Sequence, residues 1–230
     1  MKKYVFTLVA ALLALSSTAQ DATAIINKLT LKMNKVKDYS ADAVITSDIP
    51  MVKILPSKAV VYYKQKDKFK IDAKGIAIVP KQGISDVTKL LADPKSYNPI
   101  YMGKEKLGNV MTELVSLFPA NDTADLILAK LWIDPVNDIV LKSQVTTRSS
   151  GMVTAAYTYG NQMKWGLPDK MVFTVDVKKF KIPKGVATDI NRNTAKDGGK
   201  DTKKTGEIKV DLTNYKVNIG LKDDFFKEKK

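Results

Sequence analysis

The spacing of apolar positions changes character several times along the chain. Over 21–36 they recur as Ile25, Leu29, Met33 and Val36, at four, four and three residues, one face of a 3.6-residue repeat. That spacing predicts a helix from Asp21 to Val36, capped by Asp21 or Thr23, with Lys28, Lys32 and Lys35 toward the other side. From Tyr39 the period becomes two. Tyr39, Ala41, Ala43 and Ile45 alternate with Ser40, Asp42, Val44 and Thr46, which predicts a half-buried strand. Two more strands follow, Lys58–Lys64 and Lys68–Ala73, joined by a tight Gln65-Lys66-Asp67 connection, and Ile76–Val79 reads as a short fourth.

The middle of the chain predicts helix. Ser85 is placed to cap 86–92, and Tyr97–Met102 is a short extended piece holding Pro99. Leu107, Val110, Met111, Leu114, Leu117 and Phe118 then sit at helical spacing before Pro119, so Lys106–Phe118 is expected as an apolar-faced helix, either core or a lid over a cavity.

The second half is almost all strand. Leu126–Asp134 runs into a Pro135-Val136-Asn137-Asp138 turn and out along Ile139–Thr147. Met152–Tyr159 alternates, as does Met171–Val177 through Met171, Phe173, Val175 and Val177. The apolar parity slips by one at Phe180 and Ile182, and again where Ile208, Val210 and Leu212 give way to Tyr215, Val217 and Ile219. A one-residue slip inside a strand signals a β-bulge, and bulges in long strands suit a strongly curved sheet. Thr188–Thr205 is polar, Gly-containing and Lys-rich and reads as a long hairpin loop; the charged tail Lys222–Lys230 is expected to fray.

Composition narrows the chemistry. The 230 residues fit one globular domain, and the chain has neither Cys nor His. Disulfides, thiol nucleophiles, Ser-His-Asp triads and histidine metal sites are thereby excluded. The net charge of +14 comes almost wholly from Lys, since Arg148 and Arg192 are the only arginines. Lys is the weaker choice for bidentate phosphate or base recognition, so the excess reads as a solvated surface and not as a nucleic-acid site. Lys2 and Lys3 precede an apolar run from Tyr4 to Leu15, then Ser17-Thr18-Ala19. This is a secretory signal pattern, too short to span a bilayer comfortably, so residues 1–19 are expected to be removed and 20–230 to form a single exported domain. An exported basic protein meets anionic lipid head groups more often than nucleic acid.

Candidate catalytic groups are few. Asp134 and Asp138 flank a turn, where Asp and Asn bond their own backbone, and Asp223 and Asp224 lie in the tail. Gly199-Lys200 is followed by Asp201 and is no phosphate loop, and no acidic cluster has calcium-loop spacing. Neither an enzyme activity nor a cofactor is expected. What stands out is apolar bulk on strand and helix faces, including Tyr63, Phe69, Trp132, Tyr157, Tyr159, Met171 and Phe173, which form an ordinary core or line a cavity.

Four local stretches carry a resemblance. Val60 to Ile71 is an aromatic strand, a basic turn and a second aromatic strand; Leu131-Trp132-Ile133-Asp134-Pro135 is a hydrophobic strand ending in an Asp-Pro turn. Gly166-Leu167-Pro168 precedes a long strand, and Asn214–Asn218 is followed by Phe225 near the end. Together with the order of export signal, helix, strand pair, middle helices and long strands, they resemble the outer-membrane lipoprotein-sorting (LolA/LolB-like) family. The resemblance implies an α+β fold: a strongly curved antiparallel sheet, an incomplete β-barrel, with helices covering its open concave face. It implies a periplasmic, monomeric carrier of the acyl chains of lipoproteins or lipids, with an inner-membrane lipoprotein-releasing transporter and an outer-membrane acceptor as partners. Lipid-binding positions would be Tyr63, Phe69, Ile71, Leu114, Phe118, Trp132, Tyr157, Met171, Phe173 and Val175. Such chains need a dry, apolar-lined pocket, where each buried methylene contributes roughly 0.8 kcal/mol. Gln65 stands where the family's lid-latching Arg aligns, and Lys66 replaces its proline. Absence of Cys fits the soluble carrier branch and not the anchored one. The alternative is a sensor or adaptor of the same fold that binds a protein partner by its sheet edge or basic surface. A third, weaker reading is an exported carboxylate enzyme with Asp134 as its candidate.

Overall fold

A computed structural model of the chain describes residues 21–50, 55–65, 68–73, 87–88, 90–121, 123–149, 151–176 and 205–227. The expected signal segment, the strand at 76–79, the cap at Ser85, the parity slip at 180–182 and most of the 188–205 loop lie outside these residues.

Helix α1 spans Ala22–Met33, and the Asp21 side chain caps it by accepting from the Thr23 backbone N–H. Its buried face is Ala22, Ile26 and Leu29, rotated slightly from the face read by spacing, with Ile25 and Met33 half-buried. Ten strands follow: β1 (Asp38–Asp48), β2 (Ser57–Lys64), β3 (Lys68–Ala73), β4 (Tyr97–Leu107), β5 (Val110–Pro119), β6 (Leu126–Asp134), β7 (Ile139–Thr147), β8 (Gly151–Thr158), β9 (Lys170–Asp176) and β10 (Thr205–Val217). Residues 87–88 and 90–92 are helical.

All ten strands form one antiparallel sheet in the order β3-β2-β1-β10-β9-β8-β7-β6-β5-β4, and β3 does not pair with β4. The sheet is therefore open, an incomplete barrel with helix against its concave face. Alternation assigns the faces. Tyr39, Ala41, Ala43 and Ile45 point inward and oppose Tyr63, Val61, Ala59 and Ser57 of β2. On the other side Ala43 and Ile45 meet Leu212 and Val210 of β10.

The predicted bulge in β10 is present. Ser40 pairs with Lys216 and Asp42 with Thr213, so two steps on β1 oppose three on β10. Asn214 absorbs the extra residue at φ 52, and its side-chain amide donates to Asp42 at 2.8 Å. This restores Tyr215 and Val217 to the inner cluster after the slip. Further register shifts occur at Tyr101/Gly103 and twice between β6 and β7, each adding local bend.

Two expectations fail. Lys106–Phe118 is not a helix: Leu107 ends β4, Gly108 at φ +60 opens a two-residue turn, and Val110 starts β5. The strand lies between β4 and β6 and is buried on both faces, with Val115 and Leu117 inward and Thr112 and Ser116 outward. Apolar residues on both sides erase the two-residue alternation and leave an accidental helical spacing. The tail does not fray through Lys227. A 3-10 turn at Asp223–Phe226 docks on the outer face of β2 and β3. Asp223 takes 2.6 Å ion pairs from both Lys64 and Lys68, and Phe225 meets the Tyr62 ring edge-on with centroids 4.6 Å apart. The two lysines hold the Asp223 carboxyl down at about 2, their hydrogen bonds being the main cause.

Candidate functional site

The interior divides into two apolar clusters. One lies beneath β1–β3 and β8–β10; the other packs α1 and Val87 and Leu91 of the second helix on β4–β7. They meet imperfectly. Between them is a cavity of about 140 Å³, floored by the sheet and roofed by Leu29 and Met33 of α1 and by Val36 just past its end. Val87 and Leu91 close one side, and Trp165, Gly166, Leu167 and Pro168, from the β8–β9 connection, close another.

Five tyrosines line it: Tyr39, Tyr63, Tyr157, Tyr159 and Tyr215. Tyr39 stacks on Tyr63 with centroids 5.3 Å apart and meets Tyr215 at 5.4 Å. The hydroxyls of Tyr157, Tyr159 and Tyr215 are bonded to the protein itself. Tyr159 donates to the Val140 carbonyl at 2.7 Å, Tyr215 to that of Pro168 at 2.6 Å, and Tyr157 shares a 2.9 Å bond with the Ser143 hydroxyl. Burial pushes Tyr157 up to about 12, Ser143 opposing, and drives Tyr39, Tyr159 and Tyr215 higher still. These rings are thus neutral at any physiological pH, and the chamber offers a ligand ring faces and aliphatic groups.

Polar attachments hold the roof. The Lys32 amine donates across the mouth to the Asn137 carbonyl at 2.6 Å, in the turn between β6 and β7. Burial lowers its pKa, while Asp138 pulls it back up. The stem of Lys32 crosses Gly166, whose φ of +69 is left-handed; a Cβ built there would lie 3.8 Å from the stem. At the helix C-terminus the Gln65 amide donates to the carbonyls of Asn34 at 2.9 Å and Val36 at 3.0 Å. Asn218 accepts from the Lys37 N–H at 2.7 Å and donates to the Lys35 carbonyl at 3.1 Å. Asp38, buried, accepts from the N–H groups of Ile219 and Gly220.

The candidate residues separate into groups. Tyr63, Phe69, Tyr157 and Met171 line the cavity, and Ile71 lines a much smaller void beside it. Phe173 and Val175 face inward but are packed solid in the core. Leu114, Phe118 and Trp132 lie on the opposite face of the sheet. Leu114 pairs with Trp132, both out of phase with the inward Val115, Leu131 and Ile133, and the Lys142 amine sits 4.3 Å over the Trp132 ring. Sequence spacing missed the roof residues of α1 and the Trp165–Pro168 segment as wall. The Gly166-Leu167-Pro168 run was the one available signal for the latter. Asp134 is a turn residue: it accepts from the Val136 N–H at 2.8 Å and from the Asn137 side chain at 2.7 Å. Among the described residues no group of acidic side chains is placed to hold a metal ion.

Sheet, roof and chamber define a class: an open antiparallel half-barrel closed by helix over an apolar cavity. Solved structures share this architecture. The chain aligns over 90% of its length with a LolA superfamily protein from Nitrosomonas europaea, at TM-score 0.57 and 12% identity, covering 97% of that chain. The outer membrane lipoprotein-sorting protein domain of Vibrio parahaemolyticus aligns over the same shares at TM-score 0.57 and 8% identity. A DUF1329 family protein from Desulfovibrio piger does so at 0.54 and 12%. The chain has the LolA-like fold. In sequence, no family model and no curated protein matches it.

Proposed function

We propose that the protein is an exported, periplasmic carrier that takes acyl chains of lipids or lipoproteins into the cavity and moves them toward the outer membrane. The supporting observation is the chamber itself: ring-lined, largely apolar and placed between sheet and helix. At about 140 Å³ it is close in size to an engineered apolar cavity that admits one benzene. A whole acyl chain is larger than this space and enters as α1 moves off the sheet, against the packing of Ala22, Ile26 and Leu29 and the polar bonds of Lys32 and Gln65. The adaptor reading fares less well at one sheet edge. Among the described residues β4 is a border strand, and it carries Pro99, Lys104 and Lys106, residues that oppose addition of a further strand.

Native mass spectrometry with lipid extraction tests the proposal, alongside uptake of a fluorescent acyl probe. Bound acylated lipid, and probe uptake abolished by Met33→Trp with the circular dichroism spectrum and melt preserved, are the expected results. Met33 is half-buried on the roof, so a larger ring fills the chamber without entering the packed core. A clean apo mass with no probe uptake by the unaltered protein overturns it.

A further inference from the structure

The outward side of α1 continues into a second surface element. Residues 22–37 contain no acid, and their exposed positions include Lys28, Leu31, Lys35 and Lys37. Lys28 and Leu31, three residues apart, share one stripe of α1, and Lys35 follows in the turn just past the helix C-cap. Leu31 is 67% exposed. The Asn218 bonds to the backbone of Lys35 and Lys37 bring residues 218–222 against the end of the helix. That segment also lacks acids and adds Ile219, 48% exposed, and Lys222. Asp38 and Asp223, which follow directly on these two segments in the chain, are occupied elsewhere. Asp38 is buried on backbone N–H groups, and Asp223 is bridged to Lys64 and Lys68.

The result is one face with four lysines around two exposed aliphatic side chains, on the back of the helix that roofs the cavity. An ordinary helix surface would mix signs. Elsewhere on the sheet some lysines do sit beside acids, as at Lys170–Asp211 and Lys209–Glu207. We propose that this face seats on an anionic lipid bilayer, with the lysines at the phosphates and Leu31 and Ile219 entering the headgroup layer. Cation and aliphatic side chains together are the combination that an interfacial helix uses. Such seating sets the roof of the cavity against the membrane from which an acyl chain leaves. Its purpose rests on the carrier reading, but the binding itself does not.

Sedimentation with vesicles tests it. The protein is expected to bind vesicles of an equal mixture of phosphatidylcholine and phosphatidylglycerol, to ignore pure phosphatidylcholine, and to release as salt shortens the screening length. Each lysine near an anionic surface is worth about fivefold in partitioning, so Lys28→Glu with Lys35→Glu should weaken binding by at least about 25-fold. Leu31→Ser should weaken it by less. Lys58→Glu with Lys106→Glu makes the same change in net charge at exposed positions outside this face and should leave most of the binding. No binding to the mixed vesicles overturns the proposal, as does an equal loss in the two double variants, which would make net charge the only determinant. Uptake of the soluble acyl probe by the same variants reads the chamber separately. Uptake retained with vesicle binding absent refutes the docking face and leaves the carrier standing.

Discussion

Lys32→Met isolates the bond across the cavity mouth. The methionine keeps an unbranched stem to lie over Gly166 and removes only the amine that donates to the Asn137 carbonyl at 2.6 Å. A hydrogen bond from a charged donor contributes about 1.5–3 kcal/mol, and this amine is half exposed, which favours the lower end. Its loss should favour the roof-open state by about 1.5 kcal/mol, or about tenfold in population. The change is local, because the stem over Gly166 is kept and the amine alone is lost. Amide hydrogen exchange followed by mass spectrometry reads it directly. The amides of α1 should exchange about tenfold faster, and acyl-probe uptake should accelerate in step, while amides at Phe173 and Ile208 in the central sheet keep their rates. Unchanged exchange in α1 refutes the latch. An equal acceleration in α1 and the central strands also refutes it, by showing that the amine stabilises the whole fold and not the roof.

Gln65→Ala removes two neutral bonds to the end of α1, worth about 1 kcal/mol each, and should accelerate exchange at the helix C-terminus more than at its start; equal effects along α1 would argue against an anchored end. Phe173→Ala empties a site with 0% exposure and should cost about 3–5 kcal/mol in urea unfolding with an unchanged slope, whereas Phe118→Ala, 40% exposed on the outer face, should cost under about 0.5 kcal/mol. The docked tail should respond to acid. Asp223 titrates at about 2 in place of the usual 3.8, so its contribution is complete above the unfolded value and disappears as pH falls toward 2. Pepsin cleavage between Phe225 and Phe226 should therefore rise steeply between pH 4 and pH 2, and Asp223→Asn should show the acid-like rate already at pH 4.

How much of this was legible depends on whether an element has one dry face. Strands β1, β8 and β9 each bury alternate residues, so a period of two is visible in the sequence, and the slip at Tyr215 marks the bulge. Strand β5 hides both faces, and its helical spacing was coincidence. The turn at Gly108-Asn109 and the β-branched Val110, Thr112 and Val115 were the contrary signals. At the site, alternation identified the strand residues Tyr63, Phe69, Tyr157 and Met171. It said nothing about which inward residues face a void and which, like Phe173, fill the core, because that depends on how two clusters fail to meet. Trp132 illustrates the limit in one residue: aromatic bulk on a strand marks burial, but the sheet has two sides. The docked tail was illegible for a different reason. Its partners Lys64, Lys68 and Tyr62 lie over 150 positions earlier in the chain.

The strand order also sets a timetable. Strands β4 to β10 follow one another as neighbours, and among the described residues β1 to β3 join that sheet only through the seam between β1 and β10, where Tyr39 lies opposite Val217. The first strand made waits for the last. Until residues 205–217 are present, the N-terminal strands have no sheet to complete and α1 has no finished surface to cover. Contacts so distant in sequence form slowly, since the intervening chain must be ordered first. A chain still being synthesised therefore cannot close this sheet early, and one cut before β10 leaves both parts with raw edges. Acquisition of the native state is tied to completion of the polypeptide.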